Sequence, residues 1–179
     1  MCMMFELMLI RPSEEHELAA LEFRQEHFDN GQKVINGGSM LDEISSYEGW
    51  LHHLECNSNE KTVWPGWALA SIFFVVRKED ERIVGIVDIR HDLSTPFLKE
   101  YGGHIGYDIR PTERRKGYAT ETLILALDFC RQLGLKKVMI ACYSDNTASI
   151  RTIVKCGGVI DREFSYLDGK MMRTHWIDL

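Results

Sequence analysis

No stretch of this chain stays apolar for the roughly 18 residues that a membrane span needs. The most apolar opening, Met1 to Ile10, is interrupted by Glu6 and has no basic run before it, so it reads as a strand rather than a signal peptide. Cysteine is sparse: five residues, scattered and odd in number, with no Cys-x-x-Cys pair. That pattern excludes a disulfide framework and fits reduced thiols in a cytoplasm. Positive charge is in the minority, and the net charge of -6 excludes a general nucleic-acid binder, whose phosphate partner demands basic surface. Internal repeats and low-complexity segments are absent. So is the string Gly-x-x-x-x-Gly-Lys-Ser/Thr, which sets aside a P-loop nucleotidase. His52 and His53 are adjacent, and adjacent helix residues face different ways, so no metal site is expected.

What is present is a chain of 179 residues, read as one domain over 1–179 and long enough for a full core. Against the acidic background stands one basic run, Arg114-Arg115-Lys116, followed by Gly117-Tyr118-Ala119-Thr120-Glu121. It lies between a strand pattern, His104 to Arg110, and a helix pattern, Tyr118 to Leu133. A glycine at such a turn lets a ligand approach the backbone. The first N–H groups of the helix have no intrahelical partner and carry the positive end of its dipole. Together these features suit an anion, usually phosphate. The alternative for the basic run is a solvated turn; the Gly-x-Ala and helix start beside it favour the anion site.

In chain order, Phe5 to Arg11 reads as a strand. Ser13 caps a helix whose apolar face is expected to hold Leu18, Leu21 and Phe28, with Phe23 off it. Residues 30–42 read as a loop. Ser45 or Ser46 starts a second helix with Tyr47 and Trp50 as core aromatics. Ile72 to Val76 and Arg82 to Arg90 form a hairpin turned at Glu79-Asp80-Glu81, and Asp92 to Tyr101 is a loop. In His104 to Arg110 the period is two: Ile105, Tyr107 and Ile109 share one face, while His104, Gly106, Asp108 and Arg110 share the other. Lys137 to Cys142 is the next strand, parallel to the last if the crossover is a βαβ unit. Asp145-Asn146-Thr147-Ala148-Ser149 opens a helix that ends at Lys155-Cys156-Gly157-Gly158. Val159 to Tyr166 and Lys170 to Ile177 form a hairpin around Asp168-Gly169.

The basic turn with its Arg-x-x-Gly-x-Ala spacing, the Asn-Thr-Ala-Ser helix, Gly-Gly-His-Ile-Gly-Tyr and the late Arg173-Thr174-His175-Trp176-Ile177 resemble the GNAT N-acetyltransferases. Within that family the resemblance is to a subgroup of bacterial acetyltransferases. It covers nearly the whole chain and is most specific over 103–158. It implies a mixed α/β fold: a central, largely antiparallel sheet with a splayed parallel strand pair, flanked by helices. It further implies acetyl-CoA as co-substrate, direct transfer to a primary amine of a small molecule or peptide, and no metal; it permits a homodimer. Arg114, Arg115, Lys116, Gly117, Tyr118, Ala119 and Thr120 would hold the pyrophosphate. Ile109, Tyr107 and Arg110 would pair with the pantetheine through main chain, as in strand addition. Asn146 and Ser149 would meet the same arm.

Direct transfer needs a neutral amine, a donor to the leaving thiolate and an N–H for the oxyanion. Relatives often carry a Glu where this chain has His104, so His104 is either the base or a structural strand histidine. Asp108, on the same face, is the second candidate base. The helix tyrosine that often protonates the thiolate is replaced by Ile153, which cannot donate. Tyr143, at the end of the preceding strand, is then a candidate donor, and Tyr166 another; Ser149 reads either as donor or as a helix-start hydroxyl. Without its helix tyrosine, the chain has a rival reading as a non-catalytic acyl-CoA-binding sensor or scaffold. Cys142 and Cys156 read as buried inert thiols.

Overall fold

The computed structural model describes residues 6–179. Along the chain run β1 (Leu7–Ile10), α1 (Glu17–Asp29), α2 (Tyr47–Asn57), β2 (Ala70–Arg77), β3 (Ile83–Arg90), β4 (Ile105–Ile109), α3 (Tyr118–Gln132), β5 (Lys137–Tyr143), α4 (Thr147–Lys155), β6 (Val159–Ser165) and β7 (Met171–Asp178). The start expected for the first strand, Phe5, lies outside the described residues. Two antiparallel sheets result, β1-β2-β3-β4 and β5-β7-β6. They meet where β4 and β5 come together. Those two strands share no ladder; they are joined just before β4 by an antiparallel bridge from Gly103 to Ile140 and by two bonds between His104 and Met139, His104 N–H to Met139 O at 2.7 Å and Met139 N–H to His104 Nδ1 at 2.9 Å. Beyond those contacts no ladder joins the pair; a splayed parallel pair was expected here, and among the described residues the pairings are antiparallel.

Hydrophobic burial explains the layers. The run Ile72-Phe73-Phe74-Val75-Val76 is buried on both faces. Ile72, Phe74 and Val76 pack under α1 and α2 with Trp50 and Phe23. Phe73 and Val75 face the other way, into a core shared with α3, β5 and Ile153 of α4. Glu121 of α3 ties that layer to the sheet edge by accepting the Leu7 N–H at 2.7 Å. Tyr47 and Trp50 are core aromatics, as expected, and their polar tips hold loops. The Tyr47 hydroxyl donates to Ser13 O at 2.8 Å, and the Trp50 indole donates to Gly38 O at 3.0 Å.

One helix face differs from its reading. In α1 the buried residues are Ala20, Phe23 and His27, while Leu18 is 73% exposed. The spacing 20–23–27 is helical, but the buried histidine hid it. The His27 Nδ1 lies 2.9 Å from Phe23 O, while its Nε2 is buried without a hydrogen-bond partner and faces Asp108 at 3.6 Å. The segment read as a loop over Asp92 to Tyr101 also runs into a short π-type turn, Leu98–Gly102. The loop of residues 30–42 lies across β4. Gly37, at φ +71°, sits so close that a Cβ there would come within 2.2 Å of Gly106 O. That contact places the loop over the strand that carries the site.

Candidate active site

The turn between β4 and α3 is formed by two left-handed residues, Arg115 at φ +64° and Gly117 at φ +86°. A Cβ on Gly117 would meet nothing within 4 Å, so within the protein it is the positive φ that favours glycine there. Thr120 and Glu121 N–H both return to Gly117 O, at 3.1 and 3.2 Å. The N–H groups of Gly117, Tyr118 and Ala119 have no backbone partner and gather at the start of α3, an anion-binding arrangement.

The basic run does not act as a block. Arg115 lines the cavity in front of the turn. Lys116 instead pairs with Glu113 at 2.7 Å and lies outside that lining, a correction to its expected role. Glu113 also receives Arg77 at 2.8 Å and Arg82 at 3.2 Å, so it gathers cations at the base of the turn. Arg114 lines the cavity, but its guanidinium turns back. It donates to Ile109 O at 2.9 Å, to Asp108 at 3.2 Å and to Gln32.

The cavity measures about 520 Å³ and runs from this turn along the open side of β4 to α4. Arg110 N–H bonds to Val84 O, so the antiparallel alternation turns the main-chain groups of Tyr107 and Ile109 away from β3. Those of Ile109 are capped by side chains: its N–H donates to Asp108 at 2.9 Å and its carbonyl accepts from Arg114. Tyr107 therefore offers the open main-chain pair. Arg110 does not belong to the cavity. Its main-chain N–H is used by β3, and its buried guanidinium pairs with Glu26 at 2.8 Å and donates to Ile83 O at 3.0 Å. The expectation that it binds cofactor is corrected accordingly.

On the far wall, Asn146 caps α4, its side chain accepting the Ser149 N–H at 3.1 Å. The Ser149 hydroxyl lies 3.1 Å from the Tyr107 hydroxyl, and both residues line the cavity. Burial pushes the Tyr107 phenol up to about 12, against the opposing pull of its bond to Ser149. The pair thus keeps its protons near neutral pH and can donate them.

The three catalytic candidates do not stand together there. His104 is 6% exposed and absent from the cavity lining. Its Nδ1 accepts the Met139 N–H at 2.9 Å, which joins β4 to β5. Burial lowers its pKa to about 4, with Asp92 opposing and Arg90 adding to the fall. A lone pair already used by the backbone and so weak a basicity make His104 a strand clamp rather than a base. Asp108 lines the cavity but accepts from Asn36 main chain and side chain, Gln32, Ile109 and Arg114, and faces His27 at 3.6 Å. A carboxylate has about four acceptor sites, so Asp108 is a hub that secures the 30–42 loop to β4. Tyr143 is also corrected: its hydroxyl donates to Asp168 at 2.9 Å, outside the cavity, and Tyr166 stacks edge-on against Tyr101.

Gln32, Asn36 and Thr152 also line the cavity, unpredicted. Gln32 and Asn36 come from a loop with no periodic pattern, and only its glycines hinted at a close approach. Thr152 lies one turn beyond Ser149 on α4, so the i, i+3 rule would have found it. Burial pushes the Cys142 and Cys156 thiols up, consistent with inert thiols. His53 packs between Trp64 and Trp67. Among the described residues, no cluster of three His, Cys, Asp or Glu is placed to hold a metal ion.

The family model described as the acetyltransferase (GNAT) domain matches residues 7–159. The chain belongs to that family. It is 29% identical over 106 residues to the Uncharacterized N-acetyltransferase YoaA of Bacillus subtilis (strain 168), a match covering 56% of this chain and 57% of that protein. Among solved structures, its fold is similar to the microcin C7 self immunity acetyltransferase MccE in complex with acetyl-CoA and AMP. That likeness has a TM-score of 0.72 at 20% identity and covers 97% of this chain and 93% of the other. The ribosomal-protein-S5-alanine acetyltransferase of Vibrio fischeri gives a TM-score of 0.72 at 18% identity, covering 98% and 94%. At such identities the likeness is one of fold.

Proposed function

We propose that this chain transfers the acetyl group of acetyl-CoA directly to a primary amine. One observation carries the reading: an anion-binding turn, the open main chain of Tyr107 and two hydroxyls on the far wall share one cavity. The pyrophosphate fits the N–H groups at Gly117, Tyr118 and Ala119 with Arg115 beside them. The pantetheine amides pair with Tyr107 as an added strand would. Using Ile109 as well requires Arg114 and Asp108 to let go of its main chain, so binding is coupled to movement of the Arg114 side chain. The amine attacks the thioester carbonyl, the C–S bond breaks, and the Ser149–Tyr107 pair supplies the proton that the thiolate takes up. Ile153 is fully buried and has no proton to give, and the position of the Ser149–Tyr107 pair on the cavity wall supports reading it as the donor.

The test has two arms. Calorimetric titration should show acetyl-CoA binding, and an amine panel should release free CoA thiol. Binding without thiol release from any amine would favour the sensor or scaffold reading. No helix among the described residues is long and apolar enough to cross a membrane, and we place the reaction in the cytoplasm on the cysteine pattern.

A further inference from the structure

A second cavity, about 470 Å³, adjoins the first at Asn36, which lines both. It is lined by three carboxylates, Asp42, Glu43 and Asp88, against one guanidinium, Arg90. Its wall also carries Trp67 and Phe97, which are 40% and 51% exposed. Asp42 is committed to the loop, accepting the Ile35 N–H at 3.1 Å. Asp88 is different. It is 4% exposed on β3, and one oxygen meets Arg90 at 2.8 Å. The other oxygen is buried without a hydrogen-bond partner. Holding Arg90, which also donates to Gly102 O at 3.3 Å, accounts for the first oxygen only. A buried polar atom left unmet in a folded protein calls for an explanation.

We infer that Asp88 is the acceptor-side carboxylate: it holds the ammonium of a linear cationic alkylamine and takes its proton. This rests on the acetyl-transfer reading. The acidic cavity attracts a cation and repels an amine that carries its own carboxylate. Trp67 and Phe97 offer aromatic faces to the alkyl chain and its charge. Burial raises the proton affinity of Asp88, with Arg90 opposing. The ammonium gives one proton to Asp88, which passes it to solvent. The freed nitrogen lone pair forms the C–N bond as the C–S bond breaks. The thiolate gains a proton from the hydroxyl pair, and the second proton shed by the nitrogen passes through solvent to restore that pair. The balance is ammonium plus thioester to amide, thiol and one proton.

Calorimetry on the CoA-loaded protein tests this with n-butylamine and with γ-aminobutyrate, which is similar in length but bears a carboxylate. Wild type should bind butylamine at least tenfold more tightly. Asp88→Asn should weaken butylamine at least tenfold while its CoA affinity stays within twofold. If that variant does not fold, Asp88→Glu keeps the charge. It should still bind butylamine but turn it over at least tenfold more slowly. Equal binding of the two probes, no butylamine binding by wild type, butylamine affinity within twofold in folded Asp88→Asn, or unchanged turnover in Asp88→Glu would overturn the inference. CoA binding and thiol release by wild type report separately on acetyl transfer itself.

Discussion

The two cavities that meet at Asn36 are built in opposite ways. The one in front of α3 draws on two short stretches, residues 107–120 and 146–152, with Gln32 and Asn36 added from the loop. Much of its polarity is main chain: helix-start N–H groups and an open strand edge. The other is assembled from the 34–43 loop, the end of α2, the approach to β2, the body of β3 and the segment before β4, and its charge is side-chain carboxylate set against Arg90. Main-chain sites demand particular backbone conformations, and those demands leave glycine, cap and turn residues at fixed spacing. Side-chain sites demand only that distant residues arrive together, and nothing local marks them. The first cavity is therefore marked by local rules, while the second, proposed to take the acceptor, is not.

The largest effect is expected where the chemistry uses side chains in the first cavity. Ser149→Ala removes the hydroxyl nearest Tyr107 and leaves the main-chain N–H that Asn146 caps. The chemical step should fall about 10²-fold or more, the lower range for general acid catalysis, with acetyl-CoA affinity near wild type. Tyr107→Phe should fall in the same direction. Single-turnover rates for both variants check this, and if both stay within about threefold of wild type the pair is not the donor.

Next comes acid lability, which separates a clamp at the seam from a base at the site. Burial holds His104 at about 4, against 6.5 in a free chain. Between those values the unfolded chain binds a proton that the folded chain refuses. The stability tied to His104 is complete above pH 6.5 and is lost as pH falls through 4, by about 3 kcal/mol. Burial lowers His53, His91 and His175 in the same direction, so the whole protein should weaken in acid. Denaturant titrations from pH 7 to 4 should show His104→Asn, whose side-chain oxygen can still accept the Met139 N–H, losing less than wild type. An equal loss in both would remove His104 from the account.

The elements that the sequence made readable share a reason. The β4 alternation, the caps Ser46 and Asn146 and the Asp168-Gly169 turn are all local rules, and each stands where its residues indicated. The failures are tertiary. His104 and Asp108 have the residue types of a base, but His104 lies just outside β4 against Met139 and Trp176, and partners far along the chain, at Met139, Gln32 and Asn36, take up their lone pairs. Arg110 and Lys116 were placed beside the right turn, yet Glu26 and Glu113 drew their charges away. A carboxylate within a strand carries no local signal, so no pattern marks Asp88 on β3.

The phosphate turn should respond to charge more than to size. Gly117→Asp puts a carboxylate on a left-handed residue among the N–H groups proposed to hold the pyrophosphate. There is room for the side chain, since a Cβ there meets nothing within 4 Å, and aspartate tolerates this φ better than most residues. The variant should fold and lose at least tenfold in acetyl-CoA affinity, about 1.4 kcal/mol. Gly117→Asn, neutral at the same φ, should lose much less. Calorimetry on both sharpens the comparison between the cavities, and unchanged affinity in folded Gly117→Asp would take the turn out of cofactor binding.

The smallest effect concerns Asn146, which serves structure and ligand with different atoms. Its side-chain oxygen accepts the Ser149 N–H and caps α4, so only its amide N–H groups are left for the pantetheine. Asn146→Ala removes both and should cost about 1 kcal/mol of stability, the usual worth of such a cap. Asn146→Ser separates them, because serine caps about as well as asparagine but has no amide to donate. Its thermal stability should therefore stay close to wild type. Its acetyl-CoA affinity should drop by about two- to tenfold, the range of one neutral hydrogen bond of 0.5–1.5 kcal/mol. If the serine variant binds acetyl-CoA as wild type does, and only the alanine variant melts early, Asn146 is a cap alone. The far wall of the first cavity would then contribute its hydroxyls and nothing more.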